Sequence, residues 1–227
     1  MASAVSFTPP VPAYTADLAS LVANNGTLTI GDKIFSNFDY LATNLTSFDP
    51  SKITVTASVD MDGVYYLTYA GNISLVSGSG PVTADLLLNY TVTATAGQIV
   101  MIDQYYAGSA QGTNGAFLAV DETARVGPVV VANSHLMVGD LSDPPAEFGI
   151  GGDNLNINPG QTTLDVTKDI SLGLVDGGLI TISKVAQSFH QGVPDGGSTV
   201  ALLGIALAAV EGVRWTLRGS RRREERR

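Results

Sequence analysis

His135 and His190 are the only imidazoles in a chain of 227 residues that contains no cysteine. Thiol nucleophiles, thiolate zinc sites, redox pairs and disulfide staples are therefore excluded, and two histidines leave little for a histidine-rich metal centre. A serine hydrolase needs a nucleophile, a base and an orienting acid. No G-x-S-x-G elbow occurs, and Gly108-Ser109-Ala110-Gln111-Gly112 has the wrong spacing. His135 lies inside one strand-like run and His190 ends another, positions that suit edge or capping roles. A glycosidase needs two carboxylates about 5–9 Å apart, and none of the 17 acids before residue 193 is singled out by its neighbours. No Walker or Rossmann glycine pattern is present. The expectation is a protein that is not an enzyme, with no catalytic residue and no resident metal.

Two weaker chemistries stand beside this. Asp60-Met61-Asp62-Gly63 and Gly151-Gly152-Asp153-Asn154-Leu155-Asn156 cluster oxygen ligands of the kind calcium takes. The first matches only the opening of an EF-hand loop and has no glutamate at position 12. The second resembles a single calcium-binding nonapeptide, a unit that works in stacks. Turn chemistry accounts for Asp, Asn and Gly at both places, so calcium is the one cofactor left open. Tyr65-Tyr66, Tyr69 and Tyr105-Tyr106 offer stacking platforms for sugars. Neighbouring residues of a strand face opposite ways, so one tyrosine of each pair points outward. Cross-strand packing is the plainer role for these rings. Sequons start at Asn25, Asn44, Asn72 and Asn89, as a Thr- and Asn-rich strand surface produces by chance.

Charge is divided along the chain. Residues 1–192 hold five Lys/Arg and 17 Asp/Glu, whereas residues 193–227 hold seven Arg and four acids. An acidic body is repelled by phosphates, which argues against nucleic acid as a partner. The arginines follow an apolar run over residues 199–210, TVALLGIALAAV. Twelve residues make about 18 Å of helix, short of a hydrocarbon core of about 30 Å. Extension to about residues 197–215 supplies the needed length and sets Trp215 at an interface. Val200, Leu202, Leu203, Ile205, Leu207 and Val210 each favour insertion by about 0.3–0.6 kcal/mol. Glu211 opposes it but lies near the end, within reach of Arg214. Arg214, Arg218, Arg221, Arg222 and Arg223 then anchor a basic tail (214–227) on the cytoplasmic side, with the acidic body outside. The alternative is a core helix followed by a solvated tail.

Immediately before that run stands Val193-Pro194-Asp195-Gly196-Gly197-Ser198-Thr199. A short proline motif, an apolar span and a basic end, in this order at the C-terminus, resemble the PEP-CTERM class of bacterial sorting signals in its VPDSG variant. Gly196 stands where that variant usually has serine, and Glu211 interrupts the span. The resemblance covers residues 193–227 and implies recognition by an exosortase, a membrane-embedded cysteine protease. It further implies passage through the inner membrane to the cell surface or extracellular matrix, in bacteria that make exopolysaccharide and biofilm. The residues suit this, because Pro194 blocks helix and Gly196-Gly197 keeps the backbone open for a protease. Leu28 to Phe38, Val166 to Ile170 and Ile182 to Phe189 resemble segments of uncharacterised PEP-CTERM proteins, which bring no activity with them. An exported chain needs a leader. Residues 1–12 have no basic start and no apolar stretch, while Ala2-Ser3-Ala4 resembles a cleavage site. The expectation is a leader upstream or already removed, and the alternative is a protein that never leaves the cytosol.

The body shows no heptads and no long helical periodicity. Residues 15–23 read as a short helix capped by Thr15 and ended by Asn24-Asn25-Gly26. Beyond it, β-branched and aromatic runs alternate with Gly, Asn and Asp over 27–30, 33–40, 52–59, 64–69, 83–95, 98–106, 117–121, 129–138, 162–174 and 179–189. Turns fall at Asp62-Gly63, Ala96-Gly97 and Asp176-Gly177-Gly178, the last reading as a hairpin. Alternation is clear in Ile53-Val55-Ala57-Val59, Leu164-Val166 and Ile180-Ile182, so one face of each strand is buried. About ten such strands predict an all-β fold, an antiparallel two-sheet β-sandwich, Ig-like or jelly-roll-like, with a C-terminal transmembrane helix. The expected layout is an N-terminal segment over 1–25, the sandwich over 26–192 and the sorting signal over 193–227. The function this implies is that of an exported surface or matrix protein, structural or interactive, with the membrane, exosortase and exopolysaccharide as partners. The second reading is a domain that binds or cleaves exopolysaccharide.

Overall fold

The computed structural model describes residues 13–112, 115–138 and 153–192. The sorting motif at Val193 to Ser198, the expected membrane helix over 197–215 and the basic tail with Trp215 lie outside the described residues. Among the described residues no helix is long and apolar enough to cross a membrane. The chain divides into two units, Met1–Gln191 and Gly192–Arg227.

Twelve strands among the described residues form two six-stranded sheets in which every pairing is antiparallel. In chain order they are β1 (Ala13–Asp17), β2 (Leu28–Ile30), β3 (Lys33–Thr43), β4 (Thr54–Val59), β5 (Tyr65–Ser77), β6 (Val82–Ala94), β7 (Ile99–Gly112), β8 (Ala116–Val126), β9 (Val129–Val138), β10 (Asn154–Gln161), β11 (Thr163–Leu174) and β12 (Gly178–Gln191). The front sheet runs β1-β4-β5-β12-β7-β10 and the back sheet β2-β3-β6-β11-β8-β9. The two strands made last, β11 and β12, lie between inner neighbours of their sheets.

Alternation explains the sandwich. On β6, Ala84, Leu86, Leu88, Tyr90, Val92 and Ala94 are buried, and on β11 Leu164, Val166, Ile170, Leu172 and Leu174 are too. These columns meet Ile180, Ile182, Val185 and Phe189 of β12 in one core. Phe189 ties the layers together, with its ring 5.2 Å from Phe35 and 6.4 Å from Tyr90, both of the back sheet.

The structure departs from the sequence reading in four ways. Thr15 is no helix cap, because residues 13–17 pair with β4 as β1. The helix α1 is Leu18–Ala23, capped by Asp17, whose Oδ1 accepts the Ser20 N–H at 2.7 Å. It ends as expected, with the Gly26 N–H donating to Leu21 O at 2.7 Å. Residues 13–25 thus belong to the sandwich, and Leu18 and Leu21 lie in its core. The Asn154 segment, read as a loop, forms β10 on the edge of the front sheet beside β7. The Asp176-Gly177-Gly178 turn is not a hairpin, since β11 belongs to the back sheet and β12 to the front. It is an arch between layers, as is the Ala96-Gly97 turn. Asp62-Gly63 does join neighbouring strands, β4 and β5.

Candidate functional site

The outer face of the front sheet gathers most of the chemistry. Ser58, Tyr66, Ser188, Asp103 and Asn154 are cross-strand partners in a row running over β4, β5, β12, β7 and β10. Next to it run Thr68, Ala186 and Tyr105. Inward positions of the same strands hold Leu67, Gln187, Gln104 and Leu155, all buried, so the row faces away from the core.

Asp103 is the centre of this face. It is buried, and its Oδ2 accepts from His190 Nε2 at 2.9 Å and from Ser188 Oγ at 3.3 Å. Its Oδ1 is buried with no hydrogen-bond partner. Ser188 Oγ also lies 3.1 Å from His190 Nε2. Serine, histidine and aspartate thus meet, but not as a hydrolase needs. A relay requires the two ring nitrogens to serve different partners, and here Nε2 faces both. Tyr66 donates its hydroxyl to Asp60 Oδ2 at 2.7 Å. Burial, with Asp60 second, holds that phenol well above its ordinary value, so it stays a neutral donor. Tyr105 lies under Lys184, whose Nζ is 5.5 Å from the ring centroid. Burial lowers the Lys184 ammonium from its ordinary range.

The tyrosine pairs divide as alternation requires. Tyr66 and Tyr105 face outward, whereas Tyr65 and Tyr106 face in. Tyr65 holds Lys33 Nζ 4.3 Å from its ring centroid, and Tyr106 is buried. Tyr69 is buried as well, so it offers no platform.

The Asp60–Gly63 segment, where turn chemistry and calcium both stood open, is a turn stitched by its own aspartate. Asp60 Oδ1 accepts the N–H groups of Asp62 at 3.0 Å and Val64 at 2.8 Å, which with Tyr66 occupies both carboxylate oxygens. Gly151 and Gly152 lie outside the described residues. Among the described residues no group of three or more His, Asp or Glu is placed to hold a metal ion. His135 pairs with Asp121 at 2.5 Å on the exposed outer face of the back sheet. Asn25 and Asn44 sit at left-handed backbone positions, φ 48° and 57°, so these two sequon asparagines are turn residues.

Sequence reasoning passed over a second cluster, inside the sandwich. Lys168 and Glu122 are directly paired across β11 and β8 and are fully buried. Lys168 Nζ donates to Glu122 Oε2 at 2.7 Å and to Gln104 Oε1 at 2.6 Å. Gln104, from the opposite sheet, donates through Nε2 to Val120 O at 3.1 Å and Ser134 Oγ at 3.0 Å. Asp153 interacts with Ser134 and Gln104, and burial raises its carboxyl above the ordinary range. Tyr90 donates to Gln187 Oε1 at 2.6 Å nearby. The signal was present in the alternation. Leu164, Val166, Ile170 and Leu172 set an inward register that includes Lys168, and Leu118, Val120 and Ala124 do the same for Glu122.

No curated protein matches the chain. Among solved structures, TmCBM61 in complex with β-1,4-galactotriose superposes with TM-score 0.34 at 11% identity, covering 69% of this chain and 89% of that one. The enzymatically active domain of tailspike protein 4 from bacteriophage CBA120 gives 0.27 at 12%, covering 66% and 19%. The arabinose-bound α-L-arabinofuranosidase MgGH51 gives 0.28 at 10%, covering 78% and 25%. All three scores are low, and the fold rests on the strand pairing above. Residues 192–215 match the VPDSG-CTERM motif. The chain therefore carries a PEP-CTERM-like sorting signal directly behind its β-sandwich.

Proposed function

We propose that this chain is an exported bacterial surface or matrix protein, delivered by an exosortase acting on its C-terminal signal, whose sandwich works outside the cell by interaction. The observation that carries the reading is the VPDSG-CTERM match over residues 192–215, one residue past the last strand. The test places one tag behind a working export leader and another after Arg227, in an exosortase-bearing host. The body is expected at the surface or in the medium without the C-terminal tag. Both tags together in the membrane would reduce the signal to a plain anchor and overturn processing.

The outer face of the front sheet supports a second, finer reading, in which the partner is a hydroxyl-rich polymer such as exopolysaccharide. Asp103 Oδ1 is a buried acceptor with no donor, a state that costs about 1–3 kcal/mol until a donor arrives. A sugar hydroxyl is such a donor, and Tyr66 and Tyr105 flank it as apolar ring surfaces. Retention on isolated exopolysaccharide is expected to fall about tenfold for Asp103→Ala, the effect of losing about 1.4 kcal/mol, and to fall for Tyr105→Ala. Leu41→Ala, an exposed position of β3, is expected to bind unchanged. Equal retention of all three variants would sink this reading, and turnover of the polymer would replace binding by catalysis.

A further inference from the structure

The interior cluster is not explained by stability. Taking an ion pair wholly out of water returns little net free energy, and apolar residues of the same size do as well or better. Yet Lys168 and Glu122 are both fully buried, in inward columns otherwise filled by Leu, Ile, Val and Ala. The geometry offers a chemical reason. Lys168 Nζ meets two groups, the Gln104 amide oxygen at 2.6 Å and the Glu122 carboxylate at 2.7 Å. The Gln104 amide cannot turn freely, because its Nε2 is held by Val120 O and Ser134 Oγ. An amine against a carboxamide, with a carboxylate beside the amine and water excluded, is the reactant set for amide exchange.

We propose that Lys168 and Gln104 condense into an isopeptide bond, with Glu122 carrying the proton. Lys168 passes one ammonium proton to Glu122 Oε2, which frees the nitrogen lone pair. That pair attacks Gln104 Cδ, the new C–N bond forms, and the carbonyl π electrons move onto Oε1. Glu122 delivers its proton to Nε2 and takes one from the attacking nitrogen. The carbonyl re-forms, the C–Nε2 bond breaks, and ammonia leaves with the bonding pair. One amide replaces another, Glu122 ends protonated, and nothing is oxidised or reduced, so no co-reactant is needed. Asp153 lies beside Ser134 and the Gln104 amide, on the side of the leaving nitrogen.

The product joins β7 of the front sheet to β11 of the back sheet across a separation of 64 residues. It gives a cysteine-free chain a covalent staple that reductants do not cut. Gln104 stands between Asp103 and Tyr105, so the staple fixes the strand that carries the outer-face site. It does not depend on what that site binds.

Mass spectrometry of the full chain tests this. The folded protein is expected to weigh about 17 Da less than its sequence, the mass of one ammonia. Trypsin is expected to leave Lys168 uncut and to yield peptide 53–125 joined to peptide 126–184. Glu122→Gln, which keeps size and shape, is expected at full sequence mass with an unchanged circular dichroism spectrum. A wild-type chain at full sequence mass overturns the proposal. A loss of about 18 Da, one water, places the bond on Glu122 and overturns it equally. The wild-type mass decides by itself, so a variant that fails to fold leaves no gap.

Discussion

Polar residues in this sandwich are held by specific partners, and those partners set how the protein answers pH. Asp32 is the clearest case. Burial pushes its carboxyl up, but hydrogen bonds from Lys33, Tyr65 and Gln191 outweigh this and hold it below the ordinary aspartate value. The partners come from β3, β5 and β12, so the carboxylate binds three strands. Its folded value lies below its unfolded one. Its contribution is therefore complete above about pH 4 and is lost as pH falls through the folded value. Asp32→Ala is expected to cost about 1–3 kcal/mol at neutral pH, because it leaves the buried Lys33 ammonium without its 2.8 Å partner. The check is the melting temperature of both proteins from pH 7 to pH 2. The gap is expected to narrow only at the acid end, and a gap that widens there would contradict the assignment. Asp153 has the opposite sign. Burial raises it, so its contribution is complete below the unfolded value and is lost as pH rises through the folded one.

Strands here are fixed by close backbone approach as much as by side chains. The β12 ladder shifts register between Ile182 and Lys184 against both β5 and β7, the mark of a bulge. Gly108 of β7 faces it. A Cβ there would stand 2.5 Å from Thr181 O and 3.2 Å from Ile182 Cα, both backbone atoms of a central strand that cannot yield cheaply. Gly108→Ala is expected to lower stability by about 1–3 kcal/mol. Gly78→Ala, with nothing within 4 Å, is expected to change it little. Urea denaturation midpoints compare the two, and equal midpoints would show that β12 can move. The arch at Asp176–Gly178 belongs to the same argument. Asp-Gly-Gly supplies the backbone freedom for reversing direction, and Gly177 and Gly178 take φ of 67° and 128°. Such local chemistry is the same whether the next strand pairs with the last or crosses to the other layer.

The molecule joins a destination to a body. Its last strands, β11 and β12, have inner neighbours on both sides, so the sandwich closes only when residues up to Gln191 are in place. Gln191 Nε2 donates to Asp32 Oδ2 and, at 2.8 Å, to Ala96 O. The sorting signal begins at the next residue. In the two-tag experiment, a chain ending at Gln191 is accordingly expected to melt with the full chain's sandwich transition but to fail to reach the surface. Ending the chain at Val185 instead removes Gln187 and Phe189 and is expected to abolish the transition. Retained surface delivery by the chain ending at Gln191 would disprove the role of the signal.

The destination signal, the all-β class and the two-sheet sandwich were legible in the residues alone. These are written locally, in a tripartite tail and in side-chain alternation with period two. Alternation also required one tyrosine of each pair to face outward, and it held the unread sign that Lys168 and Glu122 lie inside. The strand order, the arch in place of a hairpin, the two strands at β1 and β10, and the place of Tyr66 in the row of Asp103 came from the folded layers. They alone brought Lys168 to Gln104 and Asp103 to His190, pairs separated by 64 and 87 residues. Period and turn residues specify which face a side chain takes. Which distant strand it meets is settled when the layers close and most buried polar groups take up partners.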